Sequence, residues 1–166
     1  MNMTLEVKKF IKEAEQAAIS SPPSDLVNQL KQVMADNFLF YFKSHSFHWN
    51  VVGKDFPQYH EFFDSVYTSA FAAVDRIAEE IRALDEYAPM SLDEMIATSS
   101  LSENKSELDG LAMMRAIADD NQKILGGLLA TQRMAEAANQ VGLANYLQDL
   151  YDQHKKLAWM LSSILK

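Results

Sequence analysis

Few residues in this chain can end a helix, and their positions divide it into long segments. The 166 residues include only 5 Gly and 4 Pro, while hydrophobic residues make up 48%. Proline cannot continue a helix interior and glycine weakens one, so a chain poor in both favours long regular elements. No segment alternates polar and apolar residues with the period of a strand. The sequence therefore predicts an all-α fold.

Five helices are predicted after residue 23, and all but one are long. An amphipathic segment at residues 5–19 ends at the two prolines of "SSPPSD", and Ser24 or Asp25 can cap the helix that follows. Gly53 ends that helix, and Asp55 is the expected cap of the next one. The predicted helices occupy residues 24–52, 56–84, 92–99, 107–138 and 144–165.

The order of these helices predicts a four-helix bundle. The short helix, capped by Ser91, belongs to a crossover segment at residues 85–106, which is long enough to pass across one end of a bundle. A turn is expected around Gly142, before the last helix. Residues 24–166 then form one domain, and residues 1–23 form an N-terminal extension with an additional short helix.

Composition and charge exclude several classes of function. The chain has no Cys, which excludes disulfides, thiolate zinc sites and cysteine nucleophiles. The N-terminal "MNMTLEVKKFIKEAEQ" lacks the apolar core of a secretion signal, and no apolar run reaches membrane-spanning length. We therefore expect a soluble, cytoplasmic protein without a membrane partner. A formal net charge of −8 and a pI near 4.9 should repel nucleic acid and attract cations.

A stripe of possible metal ligands follows the helix predicted at residues 56–84. His60, Asp64, Asp75 and Glu79 lie on a narrow arc directly beside the apolar face of that helix. Imidazole and carboxylate groups are suitable ligands for iron, manganese or zinc. The apolar face consists of Phe63, Val66, Tyr67, Ala70, Phe71, Val74, Ile77, Ile81 and Leu84.

The spacing along this helix separates the stripe into two pairs. His60 and Asp64 are one turn apart, and so are Asp75 and Glu79, so each pair can contact one ion. Asp64 and Asp75 are 11 residues apart, or about 16 Å along the axis, whereas a metal–ligand bond is about 2 Å long. Either the chain has two separate half-sites, or two chains pack antiparallel and complete each other's site.

Each residue of the pattern also has a purely structural interpretation. Helix carboxylates one turn apart commonly form a solvated face, and Arg76 and Arg82 could pair with them. His45 and His48 lie on the apolar side of their helix and could be hydrogen-bonded core histidines, while Trp49 could simply pack. No Glu-x-x-His is present, which disfavours a di-iron centre built inside one subunit. Taken together, the pattern indicates a metal site.

Two stretches of the sequence resemble the Dps family, the miniferritins. They are "FHWNVVGKDFPQYHEFFDSVY" and "AVDRIAEEIRAL", which contain that family's His-Trp-Asn, His-Glu-x-x-Asp and Asp-x-x-x-Glu elements at matching spacings. The resemblance is specific over residues 45–84 and looser, but consistent in helix order and length, over residues 24–166. Residues 1–23 lie outside its informative part.

The resemblance implies a ferritin-like four-helix bundle with a short extra helix in the crossover, assembled as a hollow dodecamer. It also implies metal sites at two-fold interfaces, where two chains supply the ligands: His48, His60 and Asp64 from one, with Asp75 and Glu79 of the partner subunit. Trp49 matches the aromatic residue that the family places near the iron. His45 and Glu61 are possible accessory residues.

The implied activity is oxidation of Fe(II) by hydrogen peroxide, with dioxygen a slower oxidant. The Fe(III) product would be stored as a mineral inside the shell, which protects against oxidative damage. Two other functions stay open: a DNA-condensing structural protein with little ferroxidase activity, and a shell that serves as a binding or signalling particle. The candidates for the iron entry route, each equally a solvated helix carboxylate, are Asp119, Asp120, Asp149 and Asp152.

The N-terminal extension departs from the basic tail with which many Dps proteins bind DNA. Its charged residues are balanced in sign, and the C-terminal "SSILK", where the last helix ends, adds one lysine, Lys166. We therefore expect weak or absent DNA binding at physiological salt. The competing possibility is that several copies of "KKFIK" on one shell bind DNA together by avidity. The charged residues compared here are Lys8, Lys9, Lys12, Glu6, Glu13 and Glu15.

A gel-shift assay at two salt concentrations tests this expectation. The assembled protein should release DNA between about 50 mM and about 200 mM salt, because binding that depends on phosphate contacts weakens steeply over that range. Retention of DNA at the higher salt concentration would contradict the expectation and favour cooperation between the N-terminal segments.

Overall fold

The computed structural model describes residues 24–166, and within them every regular element is a helix. This part of the chain confirms the all-α bundle of four long helices with a short helix in the crossover. The helix predicted at residues 5–19 and the boundary at residue 23 lie outside the described residues. The helices are α1 (Ser24–Asn50), α2 (Phe56–Ala83), α3 (Leu92–Thr98), α4 (Gly110–Ala137) and α5 (Val141–Ile164).

Local backbone chemistry explains where these helices begin and end. After α1, Gly53 takes a φ of 116°, a value that favours glycine, and this lets the chain reverse into α2. Asp55 precedes α2 as predicted, although its side chain makes no capping hydrogen bond. The hydroxyl of Ser91 caps α3 by accepting from the backbone N–H of Glu94. Asp109 caps α4 in the same way, so α4 begins at Gly110 rather than at residue 107.

The turn predicted around Gly142 is in a different place. The chain reverses at residues 138–140, where Asn139 has a φ of 56°, and Gly142 lies in the first turn of α5. Asparagine tolerates the left-handed conformation better than most residues, so it can end a helix in place of glycine. Glycine was therefore the wrong marker for this turn.

The helices pack as two antiparallel pairs around one core. The pair α1–α2 packs against the pair α4–α5 mainly through α1 and α4, and α3 lies against α1. No helix in residues 24–166 has the length and apolarity that crossing a bilayer requires. The largest side chains that are almost fully buried are Leu26, Leu30, Phe40, Phe47, Phe63, Ile77, Ile81, Met114, Ile117, Ile124, Leu128 and Leu147.

Two contacts position the chain after α3 and the start of α4 against α1 and α2. Asp36 of α1 is 2% exposed and accepts hydrogen bonds from the Ser99 hydroxyl and from both the N–H and the hydroxyl of Ser100. At the first residue of α4, a Cβ atom on Gly110 would lie 2.7 Å from the Tyr59 ring. Glycine is therefore favoured there, because a larger residue at the start of α4 would have to displace the ring of Tyr59, next to His60.

A buried ion pair joins α1 to α4. Lys43 donates to the Asp120 carboxylate, and the two side chains are only 9% and 7% exposed. Asp120 also lies 3.8 Å from Lys123, which is half exposed. Asp120 is therefore neither a solvated helix carboxylate nor a free group at an entry pore, as the sequence had suggested. Asp119, Asp149 and Asp152 remain exposed candidates.

Replacing Lys43 with Met should destabilise the protein by about 3–5 kcal/mol, because the Asp120 carboxylate would lose its partner while staying buried. The double variant Lys43→Met/Asp120→Leu should lose much less, since no buried charge is left unpaired. Urea unfolding of both variants measures the difference. A double variant that is less stable than Lys43→Met would contradict this account.

A second buried polar pair joins α4 to α5. His154 is 6% exposed, and its Nδ1–H donates to Asn121 Oδ1 at 2.6 Å. The Asn121 amide donates in return to the His154 carbonyl oxygen at 3.0 Å. Burial lowers the pKa of His154 from 6.5 to about 4, because the charged imidazolium would lose its hydration.

Acid should therefore weaken the fold through His154. The unfolded chain takes up the proton near pH 6.5 and the folded chain only near pH 4, so stability falls as the pH drops through this window. The loss attributable to His154 should be on the order of 3 kcal/mol. Thermal unfolding between pH 7 and pH 4 measures it, and His154→Gln should flatten the profile. An unchanged profile in that variant would contradict the assignment.

Candidate metal centre

Two reciprocal hydrogen bonds hold His48 of α1 against His60 of α2. His48 Nδ1 lies 2.9 Å from the carbonyl oxygen of His60, and His60 Nδ1 lies 2.9 Å from the carbonyl oxygen of His48. A carbonyl oxygen can only accept, so both Nδ1 atoms carry the proton and donate it. With Nδ1 donating, Nε2 of each ring is left as the nitrogen that can offer a lone pair to a metal ion.

Helix geometry explains why the pair forms here. The last four carbonyl groups of a helix have no partner within it, and His48 lies in the last turn of α1. The five-residue connection through Gly53 returns the chain so that His60, in the second turn of α2, reaches that carbonyl group. The two imidazole rings stack with their centroids 3.6 Å apart and their planes inclined by 23°.

Asp64 lies one turn after His60 and is exposed. Its Oδ1 atom accepts a hydrogen bond from the hydroxyl of Tyr67. That bond to Asp64, followed by desolvation, raises the pKa of Tyr67. The sequence placed Tyr67 on the apolar face and gave it no polar role. The available signal was the spacing of three residues, which brings a phenol and a carboxylate together on a helix surface.

Asp75 and Glu79 lie farther along α2 and are exposed. Within residues 24–166 neither takes part in a hydrogen bond or an ion pair. Arg76 instead pairs with Glu80, and Arg82 donates to the Glu86 carbonyl oxygen. The interpretation in which these arginines neutralise Asp75 and Glu79 is therefore wrong for this part of the chain.

His48, His60 and Asp64 form the half-site. It is bordered by an aromatic cluster, defined here as Tyr41, His45, Trp49, Tyr67 and Phe71. The His45 ring stacks on that of Tyr67 with centroids 3.9 Å apart and lies 4.2 Å from that of Trp49. Burial, followed by the neighbouring His48, lowers the pKa of His45. Trp49 is 58% exposed, and Glu61 is exposed on the first half of α2.

One described chain brings only part of the predicted ligand set together. His48 and His60 are in contact, and Asp64 is held by Tyr67. Among residues 24–166, no three His, Asp or Glu side chains come close enough to hold one ion. Three large apolar residues around the half-site, Trp49, Val52 and Phe71, are 57–75% exposed, as is common where a second protein surface packs.

Known proteins share this fold and its order of elements. A family model described as a ferritin-like domain matches residues 27–166. Antigen TpF1 of Treponema pallidum is 30% identical over 176 aligned positions, which cover 100% of this chain and 99% of the antigen. DNA protection during starvation protein 2 of Bacillus anthracis is 29% identical, with 84% of this chain and 96% of that protein covered.

A solved structure adds to these sequence matches. The Dps protein of Vibrio cholerae, described as a member of the ferritin-like diiron-carboxylate proteins, superposes with a TM-score of 0.82 at 27% identity. The superposition covers 86% of this chain and 89% of that one. The fold is thus that of the ferritin-like proteins. The chain belongs, within them, to the Dps or miniferritin family.

Proposed function

We propose that this protein is a ferroxidase that oxidises Fe(II) and stores Fe(III) as a mineral inside a hollow dodecamer. The observation that carries the proposal is the His48–His60 pair, because its hydrogen bonds direct two Nε2 lone pairs away from the backbone beside Asp64. Imidazole suits Fe(II), and carboxylate suits the harder Fe(III) product. The diiron-carboxylate description of the Vibrio cholerae Dps protein supports the choice of iron.

The proposed site is shared between two chains. Asp75 lies about 16 Å along the helix axis from Asp64, so the two cannot bind one ion within a chain. An antiparallel neighbour related by a two-fold axis would place its own Asp75 and Glu79 opposite His48, His60 and Asp64. Such an interface creates two equivalent sites, and the exposed Trp49, Val52 and Phe71 would supply its apolar contacts.

A second apolar surface also favours a homo-oligomer. It belongs to α3 and the segment before it, and it borders a cavity of about 290 Å³ that is lined in part by Phe38, Phe42 and Ile96. Exposed apolar side chains that lie close together are typical of protein contacts. Its exposed residues, between 47% and 81% accessible, are Tyr87, Met90, Leu92 and Ile96.

Two neighbouring iron ions account for the protective chemistry. Two Fe(II) can reduce one hydrogen peroxide by two electrons: with two protons, the O–O bond breaks to give two Fe(III) and two water molecules. A single Fe(II) supplies only one electron and would release a hydroxyl radical. The ligand carboxylates neutralise the positive charge of the product. The net charge of −8 on each chain should attract incoming cations.

Loss of a ligand from either half should slow iron oxidation. In His48→Ala and in Asp75→Ala, the rise in ferric absorbance after adding peroxide to Fe(II) should slow by at least about 10-fold, since even outer-shell changes cost that much. Glu136→Ala, which removes an exposed carboxylate on α4, serves as the matched control. Wild-type rates in both ligand variants would refute the site.

Mixing the two inactive variants tests whether the site is shared. In a mixed dimer of His48→Ala and Asp75→Ala chains, one site carries both defects and the other carries none. Random assembly should therefore restore about a quarter of the wild-type activity. Continued inactivity of a mixed particle of normal mass would show that each chain supplies its own ligands.

DNA binding is the second candidate function. It is favoured by the name of the Bacillus anthracis relative, which describes DNA protection. The negative charge of this chain opposes it, and so does the balanced charge of residues 1–23. A particle that retains DNA at moderate salt but oxidises no iron would support the DNA function over the ferroxidase.

A further inference from the structure

Tyr67 contacts both helices of the half-site without being a candidate ligand itself. Its hydroxyl donates to Asp64 Oδ1, and its ring lies edge-on to that of His48 with centroids 5.3 Å apart. One side chain therefore touches a candidate ligand on α1 and another on α2.

The ring of Tyr67 is held in place on several sides. His45 stacks on one face at 3.9 Å with an angle of only 16°, and Tyr41 meets it edge-on at 6.5 Å. His45 is itself in contact with Trp49 and lies 3.4 Å from the Tyr41 hydroxyl. These contacts restrict the rotamer of Tyr67, so its hydroxyl is in a fixed position before any ion arrives.

A fixed hydroxyl gives Asp64 a fixed orientation. Asp64 is exposed, and an exposed carboxylate samples several rotamers unless a partner restrains it. Within residues 24–166, the Tyr67 hydroxyl is the only hydrogen-bond donor to this carboxylate, and it engages Oδ1. Oδ2 accepts none of these bonds, so it can bind an ion while Oδ1 remains held.

We propose that Tyr67 is a positioning residue that orients the Asp64 carboxylate for metal binding, with His45 packing its ring in place. This inference rests on the proposed iron site. It gives Tyr67 and His45 a role that does not require either residue to bind the ion. Hydrogen-bond partners of metal ligands typically contribute 10–100-fold to metal affinity.

Calorimetric titration of the assembled protein with Zn(II), without oxidant, tests the proposal. Tyr67→Phe keeps the ring and its stacking but removes the hydroxyl, so Kd should rise by about 10-fold or more. Tyr151→Phe is the matched control, because it removes a tyrosine hydroxyl on α5, outside the aromatic cluster and away from the candidate ligands. Its Kd should equal that of the wild type. Equal affinity of Tyr67→Phe and the wild type would overturn the proposal.

A double-mutant cycle separates positioning from general structural support. If Tyr67 acts through Asp64, Tyr67→Phe should change the affinity no further in an Asp64→Ala background. An effect of the same size in both backgrounds would also overturn the proposal. With Fe(II) as substrate, Tyr67→Phe should raise KM more than it lowers kcat, because the hydroxyl acts on binding.

The two proposals fail in distinguishable ways. If His48→Ala weakens Zn(II) binding and slows iron oxidation but Tyr67→Phe changes neither, only the positioning role is wrong. If His48→Ala binds Zn(II) and oxidises iron like the wild type, the metal site itself is wrong. The positioning role of Tyr67 is then wrong as well.

Discussion

The reciprocal hydrogen bonds between His48 and His60 are the interaction on which the proposed chemistry depends. Each ring satisfies a backbone carbonyl group of the other helix, so one pair of contacts joins α1 to α2 and selects the tautomer of both imidazoles. Metal sites elsewhere orient their histidines through similar hydrogen bonds to carbonyl groups. Here the connection through Gly53 makes that arrangement possible, because it brings the end of α1 beside the start of α2.

The rise of a straight helix imposes the next constraint. Since α2 cannot bring Asp64 and Asp75 to the same ion, the proposed ligand set would favour assembly over a self-contained subunit. A shared site would couple function to oligomerisation, because a free chain would hold only one half of it. The exposed Trp49 and Phe71 beside the half-site fit such a role, since exposed apolar side chains that lie close together commonly mark a protein contact.

Much of the fold could be predicted from local patterns, whereas several polar contacts could not. The scarcity of glycine and proline, together with the periodic apolar faces, predicted the helices to within a few residues. Asp120 shows where such patterns fail: its spacing suits a solvated helix face, yet Lys43, 77 positions earlier, meets it in the core. His154 and Asn121 are a similar case, since nothing in either neighbourhood indicates that α4 and α5 bury them against each other.

The sequence by itself determined the helices, their order, the family motifs and the separation of the candidate ligands into two pairs. These properties depend on neighbouring residues and on helix rise, and both can be obtained from spacing alone. Only the tertiary structure decided that both histidines carry their proton on Nδ1, that Tyr67 holds Asp64, and that Asp120 is buried. The reason is that the protonation site, rotamer and burial of a side chain depend on which faces of distant segments meet.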